Sequence, residues 1–495
     1  MARARRCFHP GCTGVSRRTF LSDVGMGLTG LALGAMLAGD GILRADTPGH
    51  FVPPDGKPHF APRAKKVIWL MMRGGVSHME SFDPKPALTE HAGKTVAESP
   101  HKAVLESPYF KNVREVVVNN IVDRNKAKIF PLQVGYKKCG QSGVEISDWW
   151  PHVRGIVDDI AILRSMWTTD NNHGAQMLFL SGKHMLDGCA PTIGAWTHYG
   201  LGTLNENLPQ FISMGARLES QCFEALDGDY LGPENAAVEI KVDPKNPLAY
   251  GRPELEIGLE ERAINAGLLD KLNQLSAVEY PADKDLHARI NAYELAFRMQ
   301  TAVPDVMRFE DEDAGTRKLY GLDNEVTRPF GEQLLAARRF SERGVRFIQV
   351  FHGPSAAGEW DAHSKLKENH SSLCAKVDQP IAALITDLKR RGLLDETIVL
   401  WTTEFGRTPY AQGGDGRDHH NFGFSIWMAG GGIKGGIVHG ATDELGYHAV
   451  EKRQFVTDIH ATIFQLLGLD PRRLEIPGRK RLDMDYGRPI PEIIA

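Results

Sequence analysis

Cysteine is scarce in this sequence, with six in 495 residues and no CxxC pair. Cys7 and Cys12 lie near the start, and Cys139, Cys189, Cys222 and Cys374 are scattered, which excludes a thiolate zinc ribbon. One or two disulfides stay open for a chain that leaves the cytoplasm, with no pairing readable. Long apolar runs are also missing. The uncharged stretch Val24–Gly39 is rich in glycine and falls short of the roughly 20 residues a membrane helix needs, so no stable span is expected. Charge of one sign is not in excess: 58 Lys and Arg stand against 62 Asp and Glu, a net of -4. Residues 1–45 carry +4 of this, which leaves the remainder at -8. A mildly acidic body argues against nucleic acid as a partner. Internal repeats and low-complexity segments are absent, which excludes solenoids.

What is present is ordinary globular composition, 42% hydrophobic and 24% charged, around a recognisable beginning. Ser16-Arg17-Arg18-Thr19-Phe20-Leu21 precedes the uncharged stretch and resembles a twin-arginine export signal. Residues 1–45 therefore read as a leader, with Ala45 as the cleavage edge, and a periplasmic or extracellular location is expected. Residues 46–65, rich in proline and charge, read as a linker.

From residue 66 onward the pattern is that of an α/β domain reaching residue 495. Continuous apolar stretches at 66–72, 160–163, 211–214, 346–351, 397–401 and 424–428 read as buried strands. Helical periodicity separates them. Val377, Ile381, Leu384, Ile385 and Leu388 mark one face of a helix over 373–391, with Ser371 or Ser372 as cap and Gly392 as stop. Ile459, Ile463 and Leu466 mark another over 455–467. A helical block, roughly 255–342, includes a helix marked by Ile264, Leu268, Leu272 and Leu275. The expected architecture is a mostly parallel central sheet with helices on both faces and a helical insertion.

Sites in such sheets form beyond the carboxyl ends of the strands. The first strand runs into Gly74-Gly75, then Ser77, His78, Glu80 and Asp83. The second leads to Asn171-Asn172-His173 at a helix start, which favours an anion. Trp360-Asp361-Ala362-His363 follows the fourth, where a carboxylate and an imidazole two residues apart can share a metal. Glu404 and Arg407 follow the fifth, as a strand-end ligand and an anion holder or as a plain ion pair. Asp418-His419-His420 comes just before the sixth. Oxygen and nitrogen donors without thiolates suit Zn²⁺, Mn²⁺, Mg²⁺ or Ca²⁺.

These segments carry a resemblance. Lys66–Pro86 with its Phe82-Asp83-Pro84-Lys85-Pro86, Gly140–Ser147, Asn171–His173, Ala337–Arg339, Glu342–Phe347, Trp360–His363, Thr403–Pro409 and Asp418–His420 together resemble the bacterial family called domain of unknown function 1501. That family is similar to the alkaline phosphatase and sulfatase superfamily. The resemblance implies an alkaline-phosphatase-like sheet and metal-dependent ester hydrolysis. It makes Asp361, His363, Glu404 and His419 candidate metal ligands, with His420 a rival to His419. Ser77 and His173 become candidate nucleophiles, with His173 a metal ligand as the alternative, and Arg407 the group that steadies an oxyanion. Asp458–Gly468 resembles a structural helix near the superfamily's C-terminus.

Three departures from the superfamily pattern stand out. Phe405 replaces the second imidazole, Arg73 stands where a metal aspartate is usual, and Asn172 occupies the nucleophile position. Cys189-Ala190-Pro191-Thr192 has the outline of a sulfatase signature, but Ile193 replaces its arginine, and it carries no weight. The expected function is a metal-dependent hydrolase of small-molecule or polysaccharide phosphate or sulfate esters. Its rivals are a non-catalytic binding protein on the same scaffold and a sugar-polymer binder using Trp149, Trp150 and Trp360.

Overall fold

Seven consecutive buried residues, Lys66–Met72 (β1), need cover on both sides. The computed structural model describes residues 54–112, 123–215, 228–243, 247, 284–355, 357–476, 478, 479 and 483–495, with isolated positions between 261 and 272. In it, alternate side chains of β1 enter two separate cores: Ile68, Leu70 and Met72 on one face, Val67, Trp69 and Met71 on the other. The expected leader 1–45, residues 46–53 of the expected linker and Leu275 lie outside the described residues. Ile264, Leu268 and Leu272 are helical but exposed.

The remaining strands that matter to the site are β2 (Ile160–Trp167), β3 (Phe211–Gly215), β4 (Val238–Ile240), β5 (Phe347–His352), β6 (Thr397–Thr402), β7 (Gly406–Gln412), β8 (Gly416–His420), β9 (Phe424–Ala429), β10 (Ile437–His439) and β11 (Gln454–Phe455). Among the described residues the main sheet has nine strands in the order β10-β2-β9-β6-β1-β5-β3-β4, with β11 also paired to β2. All six apolar stretches are strands of this sheet. Only β9 runs antiparallel to its neighbours, so the expected mostly parallel α/β sheet is what forms. Met72 lies beside His352, and Met71 beside Thr402. The carboxyl ends of β1, β5, β6 and β2 thus share one edge, and β9 begins there.

Helices cover both faces. Arg328–Glu342 (α4) and Leu366–Arg390 (α5) bury Leu334, Leu335, Phe340, Val377, Ile381, Leu384 and Leu388 on one side. Ala175–Ser181 (α1), Ile193–Leu201 (α2) and Val456–Leu467 (α6) bury Phe179, Trp196, Ile459, Ile463 and Leu466 on the other. Each large apolar side chain so buried contributes about 1.5–3 kcal/mol. Lys284–Val306 (α3) precedes α4, which belongs to the core layer itself.

α5 starts earlier than the sequence pattern indicates, and Ser371 and Ser372 lie inside it rather than at its cap. The backbone N–H of Lys365 donates to Asp415 Oδ1 (3.0 Å) and that of Leu366 to the Asp415 carbonyl (2.9 Å). A distant turn therefore satisfies donors at the helix start that a serine cap would otherwise take. Gly392, at φ +68°, follows the helix end as expected. Cys139 is half-buried and Cys374 buried, both as free thiols. No helix among the described residues is long and apolar enough to cross a membrane.

Candidate metal centre

Four chain segments meet at the shared strand edge. β5 leads through Gly353 to Asp361 and His363, β6 to Glu404, and β2 to His173, while β8 delivers His419 immediately before β9. Gly74 lets the turn after β1 close on the segment that carries Asp361. Its φ is +120°, and a Cβ there would stand 2.4 Å from the backbone nitrogen of Asp361.

Asp361 is the hub. His419 Nε2 lies 2.9 Å from Asp361 Oδ1, and His363 Nε2 lies 3.0 Å from the same oxygen. The two imidazole nitrogens are themselves 3.0 Å apart. His173 Nε2 is 3.2 Å from Asp361 Oδ2, and its Nδ1 is 3.1 Å from Glu404 Oε1. His173, Asp361 and His419 also offer one ligand atom each within 4.8 Å of one another.

The outer nitrogens of two rings decide what the inner ones do. His419 Nδ1 faces the carbonyl oxygen of Asn171 at 2.9 Å, an atom that only accepts, so Nδ1 carries the proton. His363 Nδ1 faces Gln412 Oε1, with the same consequence. In their neutral forms both rings then turn bare Nε2 lone pairs toward each other and toward a carboxylate oxygen. Such a triangle needs positive charge within it, either an added proton or a cation. Metal-bound histidines characteristically anchor their other ring nitrogen on an oxygen in this way. Separations near 3 Å are those of ligands about 2.0–2.2 Å from one ion. The donor set fits a divalent cation.

Protonation follows from the surroundings. Burial lowers the His419 pKa to about 4, so that ring is neutral at pH 7. Burial opposes charge on His173 too, but hydrogen bonds to Asp361 and Glu404 outweigh it and raise its pKa to about 9. Although burial opposes ionisation of Asp361, the three histidines and Arg407 hold its carboxyl far below the usual range.

Glu404 stands one layer beneath. It is fully buried and accepts from the Gly74 backbone N–H (2.9 and 3.0 Å) and from Gln176 Nε2 (2.8 Å). Its place is to hold His173. Arg73 Nε donates in turn to Gln176 Oε1 (3.2 Å), so this cation braces the layer. Arg407 is fully buried. Nε donates to the Gly75 carbonyl (2.8 Å), Nη1 to that of Arg417 (3.1 Å), and Nη2 to Asp361 Oδ1 (2.7 Å) and the carbonyls of Gly74 and Trp360. All its nitrogens are engaged within the chain, so it orients Asp361 and is not presented to a substrate oxyanion.

Two other candidates stand apart from the cluster. Ser77 is buried and donates to Glu80 Oε2. His420 is buried with its Nε2 on the Tyr447 carbonyl and its ring stacked on His78. Asn172 accepts from the His173 backbone N–H (2.7 Å) and shapes that loop. Phe405 packs its ring 4.4 Å from that of His419, which dries the site. Trp150 and Trp360 are wholly buried and stacked on each other, so they present no face to a sugar. Gln412, Gln176 and the Asn171 carbonyl went unnoticed in the sequence, where no local pattern marks them.

Fold and site together define an α/β protein with a carboxylate–imidazole cluster at the carboxyl edge of a mostly parallel sheet. The chain belongs to the family described as "Protein of unknown function (DUF1501)", which matches residues 64–494. Among solved structures it is similar to a phosphonate monoester hydrolase from Silicibacter pomeroyi, with 14% identity, 70% of this chain and 71% of that one covered, and a TM-score of 0.35. It is also similar to an alkaline phosphatase superfamily protein from Vibrio parahaemolyticus (9% identity, 88% and 71% covered, TM-score 0.34). A sulfatase from Pseudoalteromonas sp. shows 12% identity, 88% and 72% coverage and a TM-score of 0.34. Likeness at this level transfers no residue role and no activity. No curated protein matches the chain.

Proposed function

We propose that the chain is a metal-dependent hydrolase of phosphate or sulfate esters, with Asp361, His363 and His419 as ligands of one divalent ion. The observation behind this reading is the triangle of His363 Nε2, His419 Nε2 and Asp361 Oδ1, with separations of 2.9–3.0 Å and both outer ring nitrogens anchored on oxygen. Two imidazoles and one carboxylate suit Zn²⁺ or Mn²⁺ better than the all-oxygen preferences of Mg²⁺ and Ca²⁺. When bound, the ion supplies Lewis acidity toward an ester oxygen and a lowered pKa for water.

The chain supplies the rest. Arg407 and Glu404 fix Asp361 and His173 from behind. His173, with Nε2 on Asp361 and Nδ1 on Glu404, stays protonated at neutral pH and links the two carboxylates, so the leaving oxygen takes its proton from water. Ser77 is committed to Glu80, so the attacking oxygen is assigned to water.

A second reading, metal-dependent binding without turnover, draws on Asn172 and Phe405, which take the places of a nucleophile and an imidazole. One experiment separates the two. The full chain is loaded with Zn²⁺ or Mn²⁺, its metal content measured, and nitrophenyl phosphate and sulfate turnover followed. About one ion per chain, lost in Asp361→Asn together with turnover, is expected of a hydrolase. Retained metal without turnover supports the binding reading, and a chain that holds no metal overturns both.

Export through the twin-arginine route, to the periplasm or beyond, belongs to the same proposal and draws on Arg17-Arg18. Replacing both arginines with lysine is expected to trap the protein in the cytoplasmic fraction. Unchanged fractionation would remove this part.

A further inference from the structure

A second cleft opens where β2 ends. Trp167, Thr169, β11 and the first turn of α6 form one side, and Gly487–Glu492 of the C-terminal segment forms another, enclosing about 740 Å³. Three guanidinium groups line it, those of Arg453, Arg472 and Arg488, against the two carboxylates of Asp458 and Glu492. Asp458 is already used within the chain, accepting the backbone N–H groups of Phe455 and Arg488 at 2.8 Å each.

Arg453 is the telling residue. Its guanidinium stands 3.6 Å over the Tyr109 ring and 4.6 Å over that of Trp167. Its Nε is buried without a hydrogen-bond partner. Burial pulls its pKa down, and Tyr109, rather than a carboxylate, opposes that shift. A half-buried cation covered by two aromatic rings and given no acid is favoured by a bound anion. α6, twelve residues long, adds the positive end of its dipole at the same wall. The half-buried rings of Trp167 and Phe455, with centroids 4.8 Å apart, supply an apolar surface beside the charge.

We infer that this cleft binds a tetrahedral oxyanion, phosphate or sulfate, on an organic ligand whose apolar part lies along Trp167 and Phe455. Arg453 and Arg488 hold the anion. The inference rests on the cleft alone and stands whether or not the cluster holds a metal.

Sodium phosphate and sodium sulfate are titrated separately into the full chain, at ionic strength fixed with chloride, while tryptophan fluorescence is followed. A saturable change is expected, and the tighter of the two anions identifies the source. Arg453→Gln and the exposed-site variant Arg488→Gln should each weaken binding about tenfold or more, with Trp167→Phe removing most of the signal. Asp361→Asn should leave this binding intact. The inference is overturned if neither anion saturates, if Asp361→Asn abolishes the binding, or if Arg488→Gln and a folded Arg453→Gln bind as the parent does. Should Arg453→Gln fail to fold, Arg488→Gln decides alone.

Discussion

A Cβ on Gly416 would meet the His363 carbonyl oxygen at 2.0 Å and the Ser364 nitrogen at 2.4 Å, so the loop carrying His363 rests directly on β8. Gly416→Ala must push that loop away. The expected cost is about 1–3 kcal/mol in denaturant unfolding, typical of overpacking, with weakened metal retention as its companion. Unchanged stability and metal content would show that the loop gives way freely. The same scale explains which members of the cluster could be read in the sequence. Asp361, His363 and His419 carry the right chemistry at strand ends. His419 and His420 do so equally, but neighbouring residues on a strand point to opposite faces, so only one reaches the cluster. That choice depends on β8 being a strand, which its polar, glycine-flanked sequence does not announce. The oxygens that set the ring tautomers, on Gln412 and Asn171, become partners only through pairing between distant segments.

β7 and β8 form a hairpin whose register places His419 opposite Arg407, with an irregularity between Arg417 and His419. The apolar strands and amphipathic helices are legible because burial writes a period into the sequence. This hairpin is not, because what holds it is polar and specific. Arg417 donates from Nη2 to Glu80 Oε1 (2.7 Å) and from Nε to Glu80 Oε2 (3.2 Å), and both residues are fully buried. The pair ties the hairpin to the loop after β1, 337 residues away. Removing one member leaves the other charged and unsolvated. Glu80→Ala and Arg417→Ala should each cost about 3–5 kcal/mol, and the double variant less than their sum. Strict additivity in chemical denaturation would show that the pair acts as two separate residues. Loss of metal in Glu80→Ala, despite its lack of contact with the cluster, would show that the hairpin positions His419.

At the scale of the molecule, one sheet with two cores follows from a few unbroken apolar strands, and the site lies at the edge where such sheets place their ligands. The antiparallel strand of the main sheet, β9, was not legible, since an apolar run carries no direction. The same dry interior governs how the fold meets acid. Burial lowers the pKa of His352 to about 3 and those of His198 and His448 to about 4, and also pulls down His78, His370 and His420. For His352 the reason is visible: Trp360 Nε1 donates to its Nδ1 (3.1 Å), and the Phe330 ring packs against it. The unfolded chain protonates these rings near pH 6.5, and the folded one only at lower pH. Between those limits the unfolded state binds more protons, so the contribution of these rings to stability is full above about pH 6.5 and falls as pH drops toward 3. Each such histidine contributes a slope of at most about 1.4 kcal/mol per pH unit. Denaturant midpoints measured from pH 7 to pH 4 should therefore decline steeply. His352→Gln, which keeps an acceptor for Trp360, should flatten part of that decline. A profile level down to pH 4, or one that His352→Gln leaves equally steep, would mean these imidazoles become solvated before they titrate.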